Sequence, residues 1–215
     1  MSARRILKPS VQVEAGNTVS FEFDGQQYNG LQGDTLASAL LVNGVKALAR
    51  SYKYGRLRGI MSAGAEEPNA LVQLEKGAFS TPNVKATQAE LYQGLTAERT
   101  SGRPSLHFDY KGIIGSVGKA MMPPGFYSKT FKWPPKLWPT YENVIRQFAG
   151  FGSTPEVGDA EWYDHLHHYV DVLVVGGGLA GLQSALNAAE NGLKVLLVDE
   201  QAQLGGWLLS DASSQ

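Results

Sequence analysis

The chain has 215 residues, 43% of them hydrophobic, with 19 basic against 20 acidic groups and no cysteine. That length and composition supply a core for one or two domains, and the near-neutral balance gives no general attraction to nucleic acid or an anionic membrane surface. Without a thiol, disulfides, thiolate zinc sites, cysteine nucleophiles and cysteine-ligated iron–sulfur clusters are all excluded.

The basic start, Met1 to Pro9, runs into Ser10-Val11-Gln12-Val13-Glu14 rather than an apolar segment. No signal peptide is expected, and no apolar run reaches bilayer length, so the expectation is a cytoplasmic protein without membrane contact. Val19-Ser20-Phe21-Glu22-Phe23 alternates apolar and polar residues as a half-buried strand does, and Asp24-Gly25 suits a tight hairpin turn into a second strand through Tyr28 and Leu31. Gly33-Asp34-Thr35 breaks the pattern and offers Asp34 or Thr35 as the N-cap of a helix through Leu36, Ala39, Leu40 and Asn43, with Gly44 as the stop. A hairpin followed by a helix opens a small β-grasp-like module.

Five basic and no acidic residues lie between Lys46 and Arg58, with Tyr52 and Tyr54 interleaved. This stretch is read first as a solvated face and second as a phosphate contact. Ser62 to Asn69 is a loop by composition. From about Ala86 to Asp159 the chain is less regular. Met122-Pro123-Pro124-Gly125-Phe126-Tyr127 and the run from Phe131 to Pro139 mix prolines with large aromatics, which predicts an ordered arm laid across another surface. Tyr141 to Ala149 reads as a short helix with Val144, Ile145 and Phe148 on one face, closed by Gly150. His165, His167 and His168 cluster without visible further ligands and are read as surface residues, so no metal site is expected.

Val172-Leu173-Val174-Val175 is a continuous apolar run of the kind seen in parallel strands covered on both faces. It leads into Gly176-Gly177-Gly178-Leu179-Ala180-Gly181, which fits G-x-G-x-x-G. Gly176 permits the tight turn, Gly178 lets a pyrophosphate approach the backbone, and Gly181 allows close packing of helix on strand. The following helix, with Leu182, Ala185, Leu186 and Ala189 as its buried stripe, presents its N-terminus to the phosphates and ends at Asn191-Gly192. Val195 to Val198 forms the next strand and delivers Asp199, whose carboxylate can accept hydrogen bonds from both ribose hydroxyls; Glu200 beside it faces the other way. Leu204-Gly205-Gly206 either brings backbone close to the adenosine and phosphates or is a plain turn. A lone glycine motif is weak, but here strand, helix and acid stand around it, so the chain is expected to bind an ADP-containing cofactor.

Several stretches together carry a family resemblance: Asp24-Gly25, Gly33 to Leu41, Ser51-Tyr52-Lys53-Tyr54 with Arg58-Gly59-Ile60, Glu67-Pro68-Asn69-Ala70, Pro124-Gly125-Phe126-Tyr127, Lys129-Thr130-Phe131 and Asp171 to Asp199. In this order, over nearly the whole chain, they resemble the N-terminal part of the alpha subunit of heterotetrameric sarcosine oxidase. The resemblance implies a ferredoxin-like β-grasp module at the start. Related amine and imino-acid dehydrogenase subunits hold a [2Fe–2S] cluster there, but Ser62-Ala63-Gly64-Ala65 occupies the corresponding loop without a cysteine, so no cluster is expected. It further implies NAD on the alpha subunit, FAD and a shared covalent FMN on a beta subunit, and a C-terminal folate-handling domain. Leu179 stands where the family more often has proline, a change the pyrophosphate should tolerate.

The expected fold is α+β followed by α/β. Residues 1–85 form the cluster-free ferredoxin-like module, 86–165 a Pro- and aromatic-rich connection, and 166–215 the start of a Rossmann-type domain that binds NAD or, alternatively, FAD. Sixteen residues follow Asp199, too few for the remaining sheet, so the chain reads as truncated. Two functions stay open: an oxidoreductase subunit which, assembled with a flavin-bearing partner, helps oxidise sarcosine to glycine, and a non-catalytic nucleotide-binding or assembly module of another amine or imino-acid dehydrogenase complex.

Overall fold

A computed structural model describes residues 13, 16–51, 55–102, 105–108 and 134–210. The chain forms two compact units, Met1–Ser62 with Glu67–Ala160, and Ala63–Glu66 with Glu161–Gln215.

In the first unit, strand β1 (Thr18–Phe23) pairs antiparallel with β2 (Gln26–Leu31), from Thr18 opposite Leu31 to Phe23 opposite Gln26. Asp24 and Gly25 both take positive φ, 52° and 78°, the mirror-image turn whose twist matches that of paired strands. The alternation in β1 buries Val19, Phe21 and Phe23, and Tyr28 stacks on Phe21 with ring centroids 5.8 Å apart. Helix α1 (Leu36–Val42) is capped by Thr35, whose hydroxyl accepts from the Ser38 N–H at 3.2 Å. Asp34, the other candidate cap, instead accepts from the Leu31 N–H at 2.8 Å and the Ser38 hydroxyl at 2.7 Å.

Short strands β3 (Ala49–Arg50) and β4 (Leu57–Arg58) pair with each other. The main sheet then continues through β5 (Leu71–Leu74), β6 (Thr81–Lys85) and β7 (Thr96–Arg99) in the order β2-β1-β7-β5-β6. β7 lies past residue 85, parallel to β1 and antiparallel to β5, so the hydrogen-bonded module extends into the stretch read as a connection. The Asp24 carboxylate holds it there, accepting from the Arg99 N–H at 3.0 Å and pairing with the Arg99 guanidinium at 2.8 Å. Phe21, Leu36, Leu40, Leu48, Val72 and Leu95 fill the core beneath this sheet, each contributing roughly 1.5–3 kcal/mol by leaving water.

Helix α2 (Trp138–Ala149) ends at Gly150 in the left-handed region, φ 77°, the stop expected from sequence. The side chains of Val144 and Phe148 lie outside the described residues, as do Tyr52, Lys53, Tyr54 and the arm from Met122 to Trp133. After α2, the Gly152 N–H donates to the Asn83 amide oxygen at 2.8 Å, and the Gln73 amide donates to the Ser153 carbonyl at 2.9 Å.

The second unit is a β-α-β arrangement. Strand β8 (Val172–Val175) pairs in parallel with β9 (Val195–Val198), Val172 opposite Val195, and helix α3 (Leu179–Glu190) connects them. One expectation is corrected here. β8 is not covered on both faces, since Leu173 and Val175 are 57% and 78% exposed, and on α3 only Leu182 and Ala185 of the expected stripe are half-buried while Leu186 and Ala189 are exposed. Two strands and one helix cover a single face of each other, which leaves Leu173, Val175 and Val198 on the far side exposed. No helix among the described residues is long and apolar enough to cross a membrane.

Candidate functional site

The chain leaves β8 through Gly176, whose φ of 104° is open to glycine and strained for any other residue. Its N–H donates to the Val198 carbonyl at 2.8 Å, which fastens the turn to the end of β9. Gly178 is the N-cap of α3 with φ −71° and ψ −176°, a conformation any residue adopts, yet a Cβ there would meet nothing within 4 Å. The absence of a side chain at Gly178 therefore leaves open space in front of the first, unpaired N–H groups of α3, the place where a phosphate is bound by free donors and the helix dipole. Gly181 behaves in the opposite way. A Cβ there would collide with the carbonyl oxygen of Gly176, so this glycine serves the packing of helix against turn.

Asp199 stands directly after β9 and closes the turn from the other side. One carboxylate oxygen accepts from the Gly177 N–H and the other from the Gln201 N–H at 2.7 Å. The hydrogen bonds from Gly177 and then Gln201 outweigh partial desolvation and hold the Asp199 carboxyl below its ordinary range. It is thus charged at neutral pH. Glu200 is exposed, as side-chain alternation requires. Beyond it, the Gly205 N–H donates to the Gly177 carbonyl at 2.8 Å, and a Cβ on Gly206 would come within 3.3 Å of Gly178. The Leu204-Gly205-Gly206 segment therefore packs on the glycine turn, with the Leu204 side chain over Gly177.

An open cavity of about 840 Å³ lies at the glycine turn, lined by Val175, Gly176, Gly178, Leu179, Ala180, Gly181, Gln183 and Trp207; Asp199, Gly205 and Gly206 are not among its lining residues. Hydrogen bonds join Asp199 and Gly205 to Gly177 of the glycine turn. Gln183 and Trp207 are additions. Trp207, 63% exposed, carried one legible signal, an indole placed directly after two glycines. None of the eight lining residues carries an acidic or basic side chain, so the cavity can hold and orient a ligand but offers no general acid or base of its own.

Other candidates are used elsewhere. In the basic stretch the Arg50 guanidinium donates to the carbonyls of Leu106 and Gly55, and Arg58 donates to the Asn69 amide oxygen at 3.2 Å. His165, His167 and His168 are exposed, and no group of three or more His, Cys, Asp or Glu among the described residues could hold a metal ion.

Comparison with known proteins bears on both units. Over all 215 residues the chain is 46% identical to the sarcosine oxidase subunit alpha of Rhizobium meliloti (strain 1021). The chain is a homologue of sarcosine oxidase alpha subunits. It is 32% identical over 207 residues to the corresponding subunit of Corynebacterium sp. (strain P-1), and it spans 22% and 17% of the length of these two relatives. Residues 16–102 match the model of a 2Fe-2S iron-sulfur cluster binding domain, and residues 171–214 that of an FAD dependent oxidoreductase. The first match brings β7 inside the module. The crystal structure of L-proline dehydrogenase from P. horikoshii aligns over 90% of this chain and 26% of its own, at 19% identity and a TM-score of 0.43.

The two implied cofactors fare differently against the residues present. A cluster does not fit: the chain has no cysteine to supply a thiolate. A dinucleotide fits, because the space before Gly178 and the N-terminus of α3 accept a pyrophosphate that a side chain at this position would displace.

Proposed function

We propose that the second unit is the beginning of a Rossmann-type domain that holds the ADP portion of a dinucleotide, within a flavoenzyme complex that oxidatively demethylates sarcosine to glycine. The observation carrying this reading is the open glycine turn at the N-terminus of α3 with the Asp199 carboxylate at its side. Gly176, Gly177, Gly178, Leu179, Ala180 and Gly181 hold the pyrophosphate, Asp199 lies toward the adenosine ribose with Glu200 turned away beside it, and Gly205 and Gly206 close the adenosine side. NAD, which the family resemblance implies, is the preferred occupant, and FAD, whose ADP half is the same, is the alternative supported by the match of residues 171–214 to an FAD dependent oxidoreductase model. When bound, either group supplies an acceptor for two electrons. This chain's residues bind it, keep its phosphates against backbone donors and exclude a 2′-phosphate through the charge of Asp199.

The alpha subunits it resembles belong to multi-subunit enzymes. On this reading the chain works in the cytoplasm with a flavin-bearing beta subunit and the remaining subunits of a heterotetramer, as the resemblance implies, and its first unit, lacking cysteine, carries no iron–sulfur cluster. By itself it is expected not to oxidise sarcosine, since the flavin-binding parts are expected on another subunit.

Titration calorimetry with FAD, NAD and NADP tests the reading. Binding of FAD or NAD with at least tenfold weaker binding of NADP is expected. Equal affinity for NADP, or peroxide formed in proportion to sarcosine by the purified chain alone, would count against it.

A further inference from the structure

The loop between β4 and β5 encloses a negative charge that the nucleotide reading does not use. Glu67 is 1% exposed and among the largest fully buried side chains of the first unit. One of its carboxylate oxygens accepts from the N–H groups of Met61 at 2.7 Å and Ser62 at 2.8 Å, and the other from the N–H of Asn69 at 2.7 Å. Asn69 is itself buried and is tied through its amide oxygen to Arg58. Burial alone would push the Glu67 carboxyl up; the N–H groups of Ser62, Asn69, Met61 and Ala70 together outweigh it and hold the group below its ordinary range. The carboxylate is thus charged, out of water, and met by backbone donors.

Convergent backbone N–H groups in a loop form a concavity suited to an anion, and phosphate and iron–sulfur sites are built on such concavities. This one lies within the stretch, residues 16–102, that matches a cluster binding domain. Beside it the Ser62 hydroxyl, which has the shape of a thiol, is buried with no hydrogen-bond partner among the described residues, an uncommon state for a buried polar group. With no cysteine in the chain, no thiolate is present to hold a cluster there.

We propose that the Glu67 side chain occupies, from within the chain, the anion position that a cluster takes in a domain of this kind, so that the loop from Met61 to Ala70 is ordered without iron. The loop folds around its own carboxylate, and Met61, Ser62 and Asn69 play toward Glu67 the part that backbone donors play toward an inorganic cluster. This stands independently of the dinucleotide site.

The test is amide hydrogen exchange on the full chain, with iron and acid-labile sulfide assayed on the same preparation. In the unaltered protein the amides of Met61, Ser62 and Asn69 should be protected although no strand partner takes them, with neither iron nor sulfide present. Glu67→Gln leaves one acceptor for three donors and should speed exchange at these three amides by about tenfold or more, with β1 and β2 amides unchanged. Exchange at open-loop rates in the unaltered protein, unchanged exchange in Glu67→Gln, or stoichiometric iron and sulfide would each overturn the proposal. Should Glu67→Gln not fold, the unaltered protein's exchange and iron content decide alone.

Discussion

Replacing Gly178 with valine is expected to abolish dinucleotide binding while leaving the second unit folded. Its backbone is in the extended region and a Cβ there meets nothing within 4 Å, so the folded protein accommodates the new side chain without strain. The same empty space is what a pyrophosphate needs in order to reach the N–H groups at the start of α3. Gly181→Val makes the matched comparison. Its side chain would collide with the Gly176 carbonyl, so the junction of β8 with α3 must open and the unit should unfold at a lower temperature. Circular dichroism melts alongside calorimetric titration of NAD and FAD separate the two. Normal binding by Gly178→Val would remove the glycine turn as the cofactor site.

Asp199→Asn should weaken dinucleotide binding by about ten- to a hundredfold, the usual worth of charge-assisted hydrogen bonds. On the proposed reading this residue has two duties. Its carboxylate already accepts from Gly177 and Gln201, and the lone pairs left over are the ones available to ribose hydroxyls. An amide has one acceptor oxygen, so the variant must give up either a backbone partner or the ribose, and the glycine turn loosens together with the contact. Because the Asp199 carboxyl titrates below its ordinary range, the contribution is complete above that range and is lost only as pH falls through the lowered value. Glu200→Gln, altering an exposed side chain, should change nothing. Titration of both variants with NAD and FAD checks this; a loss confined to Glu200→Gln would mean that Glu200, not Asp199, faces the ribose.

The features legible in sequence are those decided by neighbours along the chain. β1, the Asp24-Gly25 turn and β2 were readable because a hairpin is set by alternation and turn chemistry within fourteen residues, Thr18 to Leu31. The succession of β8, glycine turn, α3 and β9 was readable because each glycine has a local geometric task and the strands are continuous apolar runs. Absence of a cluster ligand follows from composition alone.

What only the tertiary structure decided rests on pairs distant in sequence. Thr96-Ala97-Glu98-Arg99 buries a single alanine and has no apolar pattern to announce a strand, yet it lies between β1 and β5 because Arg99 reaches Asp24, 75 residues away. Glu67 looks like a solvated loop residue until three backbone donors are folded around it, which no periodicity encodes. The bond from Gly177 to Asp199 appears only when the end of β9 is brought to the glycine turn, and Trp207 comes to line the cavity only through the packing of Gly205-Gly206 on that turn. Exposure of Leu173, Val175 and Leu186 was likewise beyond the sequence, since an apolar run states what a strand can bury, while the number of elements packed against it determines what it does bury.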